Sequence, residues 1–272
     1  MQEEQTPTRE RILESLGRGG GKGWVSGEAL SREFHISRAA VSKHVCSLRE
    51  EGNIIESVPR RGYRLLSRAD PWAGDDARGP LHTNMLGQSS WIWLKETGST
   101  NQVAALQALS GAPEGVVVVA RRQSEGRGSR GSRWLCLPGS LSFSVITRPA
   151  LAPEELALLP ALAMEACVRA VEKSCGVRLE KRAPNDLFLN GGKVAGILVE
   201  SMFHNTELRW AVVGIGVNVN APHSAIPPEL QGTATSLYAE TGEAFSVTKL
   251  LRHILEELEE ELERGEKIPR RD

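Results

Sequence analysis

The segment Gly126-Arg127-Gly128-Ser129-Arg130-Gly131-Ser132-Arg133-Trp134 decides the fold class, because it contains the Gly-x-Gly-x-x-Gly pattern of dinucleotide-binding folds. It follows an apolar run, Val116 to Val119, that is typical of a buried strand. In a dinucleotide-binding fold the strand turns at once into a helix, whose N-terminus meets the pyrophosphate. Here Arg122 to Glu125 intervene, and Trp134 to Gly139 are a poor start for a helix. We therefore reject the doubly wound fold.

The same segment is strongly basic. From Arg121 to Arg133 the chain has five arginines and one acid, Glu125. The three glycines let the backbone approach a ligand closely, and arginine pairs well with carboxylates and phosphates. Two interpretations stay open on these residues alone: a loop that closes over an anionic ligand, or a solvated basic surface loop.

Composition is that of an ordinary globular protein. The 272 residues are 40% hydrophobic and 25% charged, with a formal net charge of −1, so any surface for nucleic acid must be local. No apolar run approaches the length of a membrane span, and the polar, acidic N-terminus excludes a secretory signal. The four cysteines form no Cys-x-x-Cys pair, so we expect them to be reduced and buried in a cytoplasmic protein.

Several enzyme classes lack their characteristic residues here. The chain has no Ser–His–acid set at a family spacing, no activated cysteine and no cluster of metal ligands, so we predict no metal site. These patterns disfavour hydrolases and metalloenzymes.

Residues 8 to 66 match a winged helix-turn-helix. Ile12, Leu13 and Leu16 predict a first helix, Ser26 can cap a second, and Ser37 can cap a third that ends at Gly52. Two strand-like runs follow, Ile54 to Val58 and Tyr63 to Leu66, joined by a basic tip at Pro59 to Gly62.

This unit has the residues of a DNA-binding surface. No acid occurs between Ser37 and Arg49, which suits phosphate and base contacts in a major groove. The predicted DNA-binding residues lie in the third helix and the wing: Ser37, Arg38, Ser42, Lys43, Arg60 and Arg61. The alternative is a three-helix unit that binds protein; the basic tip beside the acid-free helix favours DNA.

Linker composition at residues 67–80 separates this unit, residues 1–66, from a larger domain at 81–272. The larger domain has strand-like runs at Trp91 to Leu94, Val116 to Val119 and Leu141 to Thr147. Later strand-like runs lie at 177–179, 187–189, 194–202 and 208–219, with hairpin turns between several of them. We predict an α+β fold with a mostly antiparallel sheet.

Three helices are predicted in the larger domain. Asn101 to Leu109 places Val103, Leu106 and Leu109 on one side, and Glu154 to Glu172 is an apolar helix interrupted by Pro160. Ser246 to Glu263 is amphipathic, and the simplest interpretation of its six glutamates from Glu256 onward is a solvated face.

Short polar stretches accompany the arginine segment. Ser99-Thr100-Asn101 lies at a strand-to-helix turn, and Pro184-Asn185-Asp186 forms a rigid turn with an amide and a carboxylate. Lys193 to Glu200 and Gly214 to Asn220 have glycines in mid-strand, which often mark close approach of a ligand.

Together these stretches resemble the biotin protein ligases, specifically those that also repress the biotin operon. The similarity covers nearly the whole chain, in the correct order. Its pieces are 99–101, Gln123 with the loop 126–134, 184–186, Lys193-x-x-Gly196-Ile197-Leu198-x-Glu200, Gly216-x-Asn218, 234–237 and the winged helix-turn-helix with Arg61-Gly62-Tyr63.

The resemblance implies a two-step reaction. Biotin and Mg-ATP give biotinyl-5′-adenylate, which then acylates a lysine of a biotin carboxyl carrier protein; this is the activity of a biotin–[acetyl-CoA-carboxylase] ligase. It also implies an adenylate-bound homodimer on operator DNA. The implied catalytic residues are Arg127 and Arg182, and the implied nucleotide-binding residues are Asn185, Asp186 and Asn218. The implied substrate-binding residues are Ser99, Thr100, Asn101, Gln123, Gly126, Arg127, Gly128, Arg130, Gly131, Trp134, Lys193 and Gly196.

Three departures from the family pattern keep an alternative open. Ser129 stands where the loop usually has arginine, and Arg182-Ala183 stands where Lys-Trp is usual. The chain also stops at Asp272, without the small barrel that usually ends repressor-type members. The alternative function is a biotin-responsive DNA-binding regulator whose ligase activity is reduced or lost; the intact 184–186 turn favours the ligase.

Overall fold

The computed structural model describes residues 7–18, 23–68, 78–149 and 151–264, except for the side chains of Glu50 and Arg130. A helical unit with a two-stranded hairpin is followed by a seven-stranded sheet with helices on both faces. This confirms the predicted α+β fold. The boundary predicted at 67–80 falls mostly outside the described residues and stays a prediction.

The N-terminal unit consists of α1 (Thr8–Gly17), α2 (Gly27–Phe34) and α3 (Arg38–Glu50). Its two predicted caps are present: the hydroxyl of Ser26 accepts the N–H of Ala29 at 3.0 Å, and that of Ser37 accepts the N–H of Ala40 at 3.1 Å. His35 ends α2 in the left-handed conformation, at φ 53°. The helices enclose a small apolar core of Ile12, Leu16, Leu30, Val41, Val45, Leu48, Ile55 and Leu65.

The wing is formed by β1 (Ile54–Val58) and β2 (Gly62–Ser67), which pair antiparallel. Tyr63 and Val25 exchange two backbone hydrogen bonds of 2.8 Å, which fix the wing against the segment before α2. A Cβ atom on Gly62 would lie 2.2 Å from the Val25 carbonyl oxygen, and its φ is +103°. Only glycine fits this close approach.

The sheet follows the order β3-β4-β5-β9-β8-β7-β6. Its strands are β3 (Trp91–Thr97), β4 (Val117–Gln123), β5 (Leu141–Thr147), β6 (Glu180–Arg182), β7 (Asp186–Leu189), β8 (Gly192–His204) and β9 (Glu207–Val217). The neighbours β3 and β4 are parallel, and the other neighbouring pairs are antiparallel, as predicted. The strand predicted at residues 177–179 is misplaced, because the strand in this region begins at Glu180.

Helices cover both faces of the sheet. On one face, α5 (Leu158–Cys175) and α7 (Val247–Arg264) pack over the main apolar core. On the other, α4 (Thr100–Leu109) crosses between β3 and β4. A one-turn helix, α6 (Leu237–Thr241), follows β9. Pro160 does not interrupt α5: it lies in the first turn, where its missing N–H is tolerated, after a separate 3₁₀ turn at Pro153–Glu155.

The leucines on the apolar side predicted for α4 do not contribute to the core. Leu106 and Leu109 are 63% and 57% exposed, whereas Ala104 and Ala108 are buried. The small alanines let the helix lie close to the sheet, and this orientation turns Thr100 and Asn101 inward. The position of the polar residues, and not the leucines, sets the orientation of the helix.

The predicted solvated face of α7 is also wrong for four of its glutamates. Glu256, Glu257, Glu259 and Glu261 are buried, whereas Glu260 and Glu263 are exposed. The carboxylate of Glu259 accepts backbone N–H groups of Asn84, Met85 and Leu86. The segment around these residues has no strand or helix partner for its N–H groups, so the glutamate supplies the acceptors.

The four cysteines form no disulfide, as predicted, but the expectation of burial holds only for Cys167: Cys136 and Cys175 are partly buried, and Cys46 is exposed. Burial raises the pKa of the Cys167 thiol to about 12, which keeps this thiol protonated. Among the described residues no helix has the length and apolarity needed to cross a bilayer.

We expect Glu259→Gln to lower the free energy of unfolding by about 2 kcal/mol, because an amide cannot accept all three N–H bonds and charged acceptors bind more strongly. Chemical denaturation measures this loss. Glu260→Gln, at the exposed neighbouring position, is the matched control. Equal stability of the two variants would contradict the assignment.

Candidate active site

A narrow cavity lies where α4, the arginine loop and the glycine-containing strands meet. Its volume is about 40 Å³, enough for a few water molecules. Most of the predicted substrate-binding residues line it, namely Ser99, Thr100, Asn101, Gln123, Arg127, Gly128, Trp134, Lys193 and Gly196, together with Asn185. The structure thus brings together residues from four separate motifs.

The closed end of the cavity is a hydrogen-bonded polar cluster. The side-chain oxygen of Gln123 accepts from the backbone N–H of Thr100 at 2.7 Å and from its hydroxyl at 3.1 Å. The buried hydroxyl of Ser144 lies 2.7 Å from the Thr100 hydroxyl and 2.6 Å from the side-chain oxygen of Asn101. Each group holds the next, so the cluster can present donors and acceptors to a ligand in fixed positions.

Glu200 connects this cluster to the arginine loop. The side-chain amide of Asn101 donates to Glu200 at 2.8 Å and to the Leu198 carbonyl at 3.2 Å. The guanidinium of Arg127 lies 3.9 Å from the other oxygen of Glu200. Arg127 is half-exposed, so this long ion pair holds it loosely beside the cavity.

The ring of Trp134 lies against two glycine positions of the sheet. A Cβ atom on Gly216 would be 2.4 Å from the ring, and one on Gly196 would be 3.3 Å from it. A Cβ on Gly214 would be 1.9 Å from the Asn101 side-chain oxygen. The mid-strand glycines are therefore required by an indole and an amide that contact the backbone directly.

Lys193 lies at the junction between the ring and the 184–186 turn. Its ammonium is 2.6 Å from the Asp186 carboxylate and 5.8 Å from the centre of the Trp134 ring. Asn185 is held by a 2.7 Å bond from its amide to the Ile197 carbonyl, and the Ser129 hydroxyl lies 3.4 Å from its oxygen. A lysine, an amide and a loop hydroxyl thus converge on one side of the indole.

A second cavity, of about 500 Å³, lies beyond Trp134 and also touches Lys193. Two predicted residues absent from the first cavity line it, Asn218 and Arg182. Asn218 donates to the Thr235 carbonyl at 3.0 Å and accepts from Ser140 at 3.3 Å. The guanidinium of Arg182 lies 3.8 Å from the centre of the Phe188 ring, which keeps it beside this cavity.

The structure does not place every predicted residue at a cavity. Gly126 shapes the loop through its carbonyl, which accepts the Trp134 N–H at 2.9 Å, and Gly131 is exposed with open space around it. The side chain of Arg130 lies outside the described residues. Lys181, which precedes Arg182, pairs with Glu165 at 2.5 Å, and this bond lowers the pKa of that carboxyl. The side chain of Lys181 is therefore engaged on α5 and does not line either cavity.

Sequence reasoning missed two polar members of the site. Ser144 lies within the strand-like run from Leu141 to Thr147, where the sequence indicates no role for it, although it is fully buried and bonds to both Thr100 and Asn101. Glu200 was quoted in a motif without a role. One signal could have indicated Ser144: serines alternate with apolar residues in this strand, which lies between two of the site motifs.

The predicted DNA-binding residues share an exposed surface. A groove of about 790 Å³ between α3 and the wing is lined by Arg38, Ser42 and Arg60, among others. Ser37, Lys43 and Arg61 are also exposed, and the Arg61 guanidinium lies 4.8 Å from the centre of the Trp24 ring. The cations are thus available to phosphate groups on the face formed by the helix and the wing.

The wing also contacts the sheet domain. Arg64 of β2 bonds to Glu56 of β1 at 2.6 Å and to the Tyr238 hydroxyl at 3.2 Å. The backbone N–H groups of Leu237 and Tyr238 bond to the carbonyls of Asn218 and Val219. A short chain of bonds therefore joins the second cavity to the wing.

Comparison with known proteins agrees with this geometry. Residues 93–218 match the Biotin/lipoate A/B protein ligase family, and residues 8–64 match an HTH domain. The chain is 35% identical over 248 residues to the bifunctional ligase/repressor BirA of Bacillus subtilis (strain 168). This alignment covers 91% of this chain and 76% of that protein. The corresponding protein of Escherichia coli (strain K12) is 31% identical over 195 residues, 71% of this chain and 59% of that protein.

A solved structure is similar as well. The biotin protein ligase from Aquifex aeolicus in complex with biotin and ATP aligns with 65% of this chain and 72% of that chain, at a TM-score of 0.55 and 32% identity. The chain belongs to the biotin/lipoate A/B protein ligase family, among the members that carry an N-terminal helix-turn-helix domain.

Proposed function

We propose that this protein is a biotin–[acetyl-CoA-carboxylase] ligase that also represses transcription in response to biotin. The observation on which this rests is the pair of cavities on either side of Trp134, with Lys193 at both and Arg127 at the first. A ligand with a polar head group, a central anion and a nucleotide needs such an arrangement. Biotinyl-5′-adenylate is that ligand in the ligases that this chain resembles.

The polar cluster at the closed end fits the biotin head group. Thr100, Asn101 and Gln123 offer donors and acceptors that Ser144 and Glu200 hold in position. Because biotin needs more room than the present 40 Å³, the Trp134 ring must shift away from Gly216 to admit it. Closure of the same ring over the bound ligand would then exclude water.

Adenylation joins two anions. A biotin carboxylate oxygen forms a bond to the α-phosphorus of ATP, and the bond from that phosphorus to pyrophosphate breaks. Arg127 and Lys193 stand where the carboxylate and the phosphate would meet, so they reduce the repulsion between them. In the second step a carrier lysine attacks the acyl carbon and AMP leaves, so no nucleophile of the ligase is required.

The nucleotide fits the second cavity. Asn218 lines it, and Arg182 supplies a cation where the family usually has lysine. Asn185 lines the first cavity, and Asp186 pairs with Lys193, which borders both cavities. Mg²⁺ would enter with ATP, bound mainly by phosphate oxygens, since the described residues contain no group of three or more His, Cys, Asp or Glu around one point.

Arg182 also bears on the alternative of a regulator with reduced ligase activity. It lines the second cavity, so the charge at the lysine position is retained, and the Ser129 hydroxyl reaches Asn185. Both features support the ligase. Ala183 still removes an aromatic wall, which is the observation that favours the alternative.

The winged unit supports the repressor role. Its acid-free helix and basic wing tip face the same groove, which suits operator DNA. In this proposal the adenylate-bound protein acts in the cytoplasm as a homodimer, which places two such surfaces on two half-sites.

We expect the protein, incubated with biotin, Mg-ATP and a biotin carboxyl carrier domain, to release pyrophosphate and biotinylate one carrier lysine. Mass spectrometry of the carrier and a pyrophosphate assay measure the two steps. A carrier with its target lysine replaced by arginine is the control. Formation of neither adenylate nor biotinylated carrier would refute the ligase function and leave the regulator alternative.

Arg127→Ala should speed adenylate release about tenfold, because a charge-assisted contact to the anion contributes roughly 1.5 kcal/mol or more. Biotin affinity should change less, since the head-group cluster is intact. Stopped-flow release experiments compare the two constants. Arg178→Ala, an exposed arginine away from both cavities, should behave as wild type; an unchanged release rate for Arg127→Ala contradicts a role over the adenylate.

The double variant Arg60→Ala/Arg61→Ala should weaken operator binding and flatten its dependence on salt, because each lost phosphate contact lowers the salt slope by about 1. Affinity measured across a salt series gives that slope. The ligation rate should stay at the wild-type value. An unchanged slope would remove the wing from the DNA-binding surface.

A further inference from the structure

A third cavity, of about 350 Å³, lies between the winged unit and the sheet domain. Cys46, Arg49, Ile54 and Arg68 line it from the winged unit, and Arg121, Arg122, Leu137, Phe245 and Val247 line it from the other side. It contains none of the predicted ligase or DNA-binding residues, and it shares only Leu137 with the second ligase cavity. Neither proposed activity uses it.

The interior of this cavity is mainly apolar. Ile54 and Leu137 are buried in its walls, while Phe245 and Val247 come from the segment at the start of α7. A volume of 350 Å³ is the volume that roughly a dozen water molecules occupy in the liquid. Cavities of this size and lining, at the contact between two domains, are typical small-molecule sites.

The cavity wall is also positively charged, and its four arginines differ in their contacts. Arg122 pairs with Glu96 at 2.8 Å, whereas the hydrogen bond of Arg49 goes to a neutral carbonyl. The Nε of Arg49 donates to the Ile55 carbonyl at 2.8 Å, and no ion pair between described side chains involves Arg49. Burial lowers the pKa of this guanidinium, so its charge is incompletely solvated. A cation in such surroundings gains from an anion that brings its own charge into the cavity.

We propose that this cavity binds a small amphipathic carboxylic acid, with its carboxylate at Arg49 and an apolar chain of about eight carbons among Leu137, Phe245 and Val247. A phosphate or sugar would leave the apolar walls unmatched, and a neutral hydrocarbon would leave Arg49 without an anion. Because the walls come from both units, the bound acid stabilises their observed arrangement. Arg49 also lines the groove between α3 and the wing, so the acid would act on the DNA-binding unit.

Octanoate is a suitable probe, and 1-octanol is its neutral counterpart. We expect calorimetric titration of the full chain, saturated with biotin to fill the ligase site, to show one octanoate site per chain. Octanol should bind about tenfold more weakly, which corresponds to one charge-assisted contact. Octanoate binding that occurs without biotin but is lost in the biotin-saturated chain would assign octanoate to the ligase site and overturn the proposal.

Two variants test the two halves of the site. Arg49→Met keeps the apolar stem and should reduce the preference for octanoate over octanol, whereas Arg178→Met should keep the wild-type preference. Val247→Trp fills the cavity and should abolish binding of both probes. Thermal unfolding of each variant reports whether it is folded; a folded Val247→Trp that binds octanoate as wild type would refute the assignment.

The proposal is independent of the ligase function. A wild-type chain that biotinylates its carrier but gives no octanoate binding would overturn the cavity assignment and leave the ligase intact. A chain that binds octanoate through Arg49 and Val247 but forms no adenylate would overturn the ligase function and leave the cavity assignment intact.

Discussion

The contact between the Trp134 ring and the bare backbone of the sheet is the constraint on which the site depends. The ring can lie there only because Gly196 and Gly216 have no side chains. Its position separates the two ligase cavities and brings the loop from Gly126 across the strand ends. The sheet order follows the same requirement, because β8 and β9 must be neighbours for both glycines to face one ring. Gly196 and Gly216 are direct partners in that pairing.

The same strand pair leads to the link between the two units. After β9, Asn218 and Val219 accept the N–H groups of Leu237 and Tyr238, which sets the start of α6. The Tyr238 hydroxyl then meets Arg64, which is also bonded to Glu56 across the wing. The second cavity and the wing are therefore joined by two backbone hydrogen bonds and one hydroxyl.

Features set by neighbouring residues could be predicted from the sequence, and those set by distant residues could not. Ser26 and Ser37 cap helices three residues away, and Asn190 and Asn205 adopt the positive φ that their hairpins require. The burial of Glu259 depends on N–H groups about 173 residues away, which no local pattern contains. The site divides in the same way. Its glycines and amides were visible as motifs, while Ser144 became part of it only when β5 was paired with β9 beside α4.

The resting site already contains counter-charges for its cations, and their distances differ. Lys193 is 2.6 Å from Asp186, whereas Arg127 is 3.9 Å from Glu200 and half-exposed. An exposed pair at that distance contributes little, so a ligand anion can redirect Arg127 with little loss. Lys193 is more enclosed, and its ammonium also faces the Trp134 ring. The two cations therefore differ in how firmly they are held: Asp186 holds Lys193 at 2.6 Å, whereas Glu200 holds Arg127 only at 3.9 Å. An added anion can therefore draw Arg127 from its partner at a smaller cost in free energy than it can draw Lys193.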